Sequence, residues 1–273
     1  MKTKYSSLFS LPYLIWSLIF IIVPMGLVVV FAFTTEGGQF TLDYVSQVGE
    51  YTNVLVRSVW LAAIATIICL LIGYPLAFIM SRMPGFQQRT MLMLIMLPMW
   101  MNFLLRTYAW MTILEKNGLL NKLFGLVGLG PFDMINTQGA VVLGMVYNYL
   151  PFMILPIYSV IVKLDHSLIE AARDLGANSV QVFRRVILPL SLPGVLSGIT
   201  MVFVPSVSTF AISKMLGGGT EMLLGDLIEQ QYMGGAYNPY LGAAISLVMM
   251  VIVVICMVVM NRFGEGEEQA VMM

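Results

Sequence analysis

The chain has 273 residues, of which 59% are hydrophobic and only 10% charged. Soluble domains carry roughly 25% charged residues, so an ordinary water-exposed surface is excluded. Fourteen basic and fourteen acidic side chains balance to a net charge of zero, which gives no reason to expect a nucleic-acid partner.

Apolar runs set the architecture. About 20 consecutive apolar residues form one membrane-crossing helix, and helices are required because lipid offers no partner to open backbone groups. The first run, Leu11–Phe33, follows Lys2 and Lys4 but is too long for a signal-peptide core and lacks a clean cleavage site, so an uncleaved helix is expected. After the loop Thr34–Asn53 comes Val54–Met80, which carries Cys69. Cys69 and Cys256, both in apolar runs without metal-ligand spacing, read as packed thiols, and the single histidine, His166, leaves no zinc or haem pattern.

The third run, Met91–Leu114, holds the one charge inside a span, Arg106, beside Trp100, Tyr108 and Trp110. Two readings stand side by side. Either Arg106 snorkels toward the interface within an aromatic belt or pairs structurally, or it marks a gate on a pathway. The loop Glu115–Gly139 leads to Ala140–Val162, where Tyr147, Tyr149, Phe152 and Tyr158 lie near Pro151 and Pro156. Prolines free backbone carbonyls that transporters use near pathways, whereas simple helix packing explains the same residues equally well. Trp100, Arg106, Tyr108, Tyr147 and Tyr149 are the pathway candidates.

Next comes the loop 163–191. Ser167 and Glu170 have capping-box spacing, and Gly176 suits the left-handed residue that ends a helix. Asn178 or Ser179 then caps a second short helix, with Val180, Phe183 and Ile187 on one apolar face, and Pro189 marks entry to the next span. Two short helices at an angle, with Ala171 and Ala172 offering a smooth surface, describe a lever that docks on a partner, although membrane loops also form interfacial helices.

The fifth run is Leu192–Ile212, with Pro205, Ser206, Ser208 and Thr209 as a polar kinked stretch, and the sixth is Tyr240–Asn261. Between them, Glu221–Tyr232 reads as a short amphipathic helix bearing Asp226 and Glu229. Nine of the basic residues fall on the side of both termini, and four (Arg57, Lys116, Lys122 and Lys214) on the other, so both termini are expected to be cytoplasmic. Eight acids face those four external bases; that surplus either follows from excluding bases or forms a vestibule for cations. The expected organisation is residues 1–53 as first helix and external loop, 54–262 as the transport core and 263–273 as a cytoplasmic tail. No P-loop run and no acid deep in a span appear, so neither ATP hydrolysis nor proton coupling is expected in this chain.

The run Glu170-Ala171-Ala172, then Gly176, then Val186-Ile187-Leu188-Pro189, resembles the EAA loop of type I ABC importer permeases, with Val186 in place of isoleucine. The resemblance extends from about Arg57 to Arg262. Residues 97–110, 150–158 and Lys163-Leu164-Asp165 are similar to the polyamine branch, the PotB-type permeases of spermidine/putrescine importers. It implies an all-α integral membrane protein of six transmembrane helices in the MetI-like architecture, located in a bacterial plasma membrane. Glu170, Ala171, Ala172, Arg173, Gly176, Leu188 and Pro189 would couple to an ATPase, and Asp226 and Glu229 would stand at the outer entrance. The implied partners are a second, PotC-like permease, two PotA-like ATPases that carry ATP and Mg, and a PotD-like external binding protein. No cofactor is expected on this chain. Iron, thiamine or opine are the alternative solutes, and an integral-membrane enzyme is the reading from another class.

Overall fold

The computed structural model describes residues 12–219 and 221–271, so Lys2 and Lys4 lie outside the described residues. Among these residues five helices are long and apolar enough to cross a membrane, and a bent pair brings the number to six. In chain order they are α1 (Pro12–Ala32, with a π-helical stretch at Leu18–Ile22), α2 (Thr52–Ser81), the bent pair α3 (Gly85–Trp100) and α4 (Phe103–Leu114), and the short α5 (Leu119–Leu126). After them come α6 (Gln138–Ile161), α7 (His166–Asp174), α8 (Ser179–Ser208), α9 (Ala211–Leu216), α10 (Leu224–Met233) and α11 (Pro239–Val271).

The third run departs most from expectation. It is not one helix over Met91–Leu114: the chain breaks at Met101 and Asn102, and the helical segments on either side, Gly85–Trp100 and Phe103–Leu126, meet at 90°. Asn102 takes an extended conformation, and its side-chain oxygen accepts from the N–H groups of Leu104 (2.9 Å) and Leu105 (3.4 Å). That is an N-cap, which satisfies donors that a new helix leaves open. The fifth run also differs. Its helix starts at Ser179 and stops at Ser208, where Thr209 is extended, so Ile212 belongs to the separate α9. The sixth continues as helix through Val271, past the expected boundary at 262.

The chain divides into two units. One joins the first helix and its loop, through Asn53, to Leu227–Ile252. Tyr240 at the start of α11 packs there against Phe31 (5.4 Å) and Tyr44 (5.8 Å). The other unit contains Val54–Asp226 and continues from Val253. Its core is built on α6, whose Val141, Met145, Met153, Ile154 and Ile157 are fully buried against Leu61, Ala65, Cys69 and Val202. α6 and α8 approach closely because α8 presents small residues to α6. A Cβ on Gly194 would meet the Pro156 carbonyl oxygen at 2.8 Å, and one on Gly198 the Met153 sulfur at 2.7 Å. Small residues that let backbones meet are the usual means of packing helices where lipid removes the hydrophobic drive.

Candidate functional site

The loop between α6 and α8 is ordered by its own capping chemistry. α7 starts two residues earlier than the Ser167–Glu170 spacing suggests, because Asp165 is its cap: the Asp165 carboxylate accepts from the Ser167 N–H at 2.9 Å. Hydrogen bonds from Ser167 hold the Asp165 carboxyl below its ordinary value. At the other end Gly176 has φ +83°, with its N–H bonded to the Arg173 carbonyl (2.8 Å) and the Ala177 N–H to that of Ala172 (3.0 Å). This pair of bonds is a Schellman closure, which requires a left-handed residue at the position of Gly176. Asn178 and Gln181 then form a reciprocal capping box with both bonds at 2.9 Å.

The second helix is not a separate short piece. It runs straight into span five through a π-helical stretch at Phe183–Ile187. A π stretch rotates the residues after it relative to those before. The inward face is therefore Val182 and Ile187, both buried, with Phe183 partly buried beside them, and Val180, expected on that face, is 72% exposed. Phe183 fixes this helix to α2, meeting Tyr74 and Phe78 edge to face at 5.8 Å and 5.3 Å. The Tyr74 hydroxyl and Ser191 Oγ lie 2.8 Å apart, a second tie between α2 and α8 that sequence spacing does not reveal.

Of the expected docking residues, Glu170, Ala171, Arg173 and Gly176 are exposed, and Ala172, Leu188 and Pro189 are partly buried. Leu168, Ala171 and Leu175 fall at i, i+3 and i+7, so they share one face of the loop. Leu175 is 90% exposed and Leu168 is also exposed, leaving an apolar surface uncovered by the described residues. The loop is a shaped surface on a stiff elbow.

The pathway candidates are not gathered into one site. Trp100 and Tyr108 are exposed on α3 and α4, while Tyr147 packs against Trp110 at 5.3 Å. The Tyr149 hydroxyl lies 3.5 Å from the Pro205 carbonyl oxygen. Arg106 does not snorkel. It sits in the first turn of α4, only 9% exposed, and its Nε and Nη1 have no hydrogen-bond partner. The break at Asn102 turns α4 away from the line that snorkelling assumed. Asp226 is only partly exposed and has local work: its Oδ2 accepts from the Leu223 N–H at 2.8 Å at the start of α10. Glu229 is likewise partly buried. An ion pair missing from the sequence reading, Arg57–Glu221 at 3.0 Å, joins α2 to the segment before α10, and Gln138 at the start of α6 donates to the same carboxylate at 3.1 Å.

This fold is that of ABC importer permeases. A bacterial transporter that imports the acidic polysaccharide alginate matches with a TM-score of 0.80 at 17% identity, covering 96% of this chain and 94% of that one. The methionine transporter MetNI, in inward-facing form, matches with a TM-score of 0.61 at 20% identity, covering 79% and 95%. Residues 73–265 match the family described as the binding-protein-dependent transport system inner membrane component, and the chain belongs to that family. Two of its relatives are the spermidine/putrescine transport system permease proteins PotB of Haemophilus influenzae and Escherichia coli K12. The first is 39% identical over 260 residues, 92% of this chain and 91% of that protein. The second is 35% identical over 257 residues, 90% and 93%. The chain is a permease subunit, and energy conversion is the task of a separate subunit in such systems.

Proposed function

We propose that this permease imports polyamines, spermidine or putrescine, as one half of a paired membrane channel. The observation that carries the reading is the identity of 39% and 35% to two spermidine/putrescine permeases over nine-tenths of the chain. The chemistry is compatible. A polyamine is a flexible polycation, and exposed aromatic faces such as Trp100 and Tyr108 suit it through cation–π contacts.

In this reading both termini and the loop 163–191 face the cytoplasm, as the distribution of basic residues favours. ATPase subunits dock on the apolar face of α7, and an external binding protein delivers the solute to the opposite side. Closure of the ATPases moves α7. The Phe183 and Ser191 ties carry that movement to α2 and span five, which opens the pathway alternately to each side. The test is uptake of radiolabelled spermidine and putrescine by cells that make this chain with its co-purifying partners, competed by iron chelates, thiamine and opines. Saturable ATP-dependent uptake of a polyamine, untouched by the other solutes, is the expected result. Uptake of another solute alone overturns the polyamine reading.

A further inference from the structure

α7 has a second face. His166, Ile169 and Arg173 also fall at i, i+3 and i+7, turned away from the apolar row of Leu168, Ala171 and Leu175. They line a cavity of about 400 Å³ together with Phe78 and Ser81 at the end of α2, Arg82 just after it, Gln88 and the end of α6. That volume is in the range of small-ligand sites. Two guanidinium groups and an imidazole line it, and no Asp or Glu does. The described ion pairs, Arg57–Glu221 and Lys116–Asp133, include neither Arg82 nor Arg173. Arg82 instead lies 4.3 Å over the ring of Phe78. Of the carboxylates close in sequence to these side chains, Asp165 accepts from the Ser167 N–H, and Asp165, Glu170 and Asp174 are all exposed and outside the lining.

We infer that this cavity is a binding site for a phosphate-bearing anion, held between Arg82 and Arg173 with His166, Ser81 and Gln88 as further polar groups. Arg presents paired donors that match phosphate oxygens, and a wall with two guanidinium groups and no carboxylate selects an anion. The cavity lies at the ends of two spans, where either a lipid headgroup or a soluble phosphate ester can enter. An occupant would brace the inner face of α7 against α2 and α6, while the outer face stays free for docking. The site would therefore set how stiffly the lever transmits movement. This inference does not depend on which solute is carried.

Arginine footprinting tests it. The intact transporter, in phosphate-free maltoside detergent, is labelled with phenylglyoxal, and modification at each arginine is read by peptide mass spectrometry. Arg184 and Arg185, exposed on the π-helical stretch and outside the cavity lining, are the references. One arm adds inorganic phosphate, and another adds phosphatidylglycerol. At about ten times the dissociation constant, labelling of Arg82 and Arg173 should slow about tenfold, since only the free fraction reacts, with Arg184 and Arg185 unchanged. Arg173→Gln should abolish the protection of Arg82, and Arg82→Gln that of Arg173. Protection by phosphate in solution assigns a soluble ester, and protection by phosphatidylglycerol alone assigns a lipid headgroup. No protection in either arm, equal protection at the reference arginines, or no reaction of Arg82 and Arg173 before any addition overturns the inference. The wild-type arms decide this even if a variant fails to assemble.

Discussion

At the scale of single residues, Gly176 and Arg106 make the sharpest demands. Gly176 has φ +83°, and a Cβ placed there would meet nothing within 4 Å. The whole penalty of Gly176→Val is therefore conformational, about 1 kcal/mol or more for a left-handed residue with a branched side chain. We expect this variant to reach the membrane at normal levels and to lose ATPase docking or uptake, read by co-purification and transport. Wild-type uptake would mean that the elbow is not a lever. Arg106 makes the opposite case. Its Nε and Nη1 are buried without partners, and such groups cost about 1–3 kcal/mol, more when charged. Arg106→Met should leave thermal stability equal or raised by about 1 kcal/mol while uptake falls, which assigns the charge to transport. A loss of several kcal/mol in the melting of the purified complex would instead mean that the assembled transporter pairs the guanidinium.

At the scale of elements, two devices shape the core: the break before α4 and the fastening of the loop to α2. The break is a local matter, one asparagine capping a new helix, yet the segments on its two sides, Gly85–Trp100 and Phe103–Leu126, lie at 90°. The fastening rests on Phe183, which touches Tyr74 and Phe78 edge to face. Each such pair contributes about 0.5–1.5 kcal/mol beyond burial. Phe183→Ala should therefore weaken the joint between loop and α2 by about 1–3 kcal/mol and uncouple ATP hydrolysis from uptake. The ratio of solute carried to ATP hydrolysed measures this directly, and an unchanged ratio would put the mechanical connection elsewhere. Between α6 and α8, Gly198→Leu should fail to fold, because the added side chain has only the Met153 backbone and sulfur to enter. A low level of this variant in the membrane, against normal levels for Gly176→Val, checks that contrast.

At the scale of the whole molecule, orientation in the membrane decides which partners can reach which surface. The orientation proposed above from the basic residues has the loop 163–191 inside and the segment 115–139 outside. With Cys69 and Cys256 replaced, a cysteine at Val127 should react with an impermeant thiol reagent on intact cells, and one at Val180 only after the membrane is opened. Both positions are well exposed, so accessibility rather than burial governs the result. The reverse pattern would overturn the orientation and with it the docking of ATPases on α7.

Most of the architecture was legible in the residues alone. Long apolar runs can only be spans in lipid, and Gly176 between two capped segments can only be an elbow, since both signals are local and each has one physical solution. The family followed from the Glu170-Ala171-Ala172 run for the same reason. What the residues could not show depends on neighbours distant in sequence or on a change of backbone within a uniform run. The break at Asn102 was invisible because apolar residues continue on both sides of it, and periodicity registers composition rather than direction. The π-helical stretch moved Val180 out and Val182 in by altering the repeat on which the prediction rested. Arg106, Asp226 and the cavity beside Arg82 and Arg173 acquired their roles only when the tertiary structure set burial, capping and charge around them. Local chemistry wrote the spans and the elbow into the sequence; long-range packing alone decided which polar groups are enclosed, and by what.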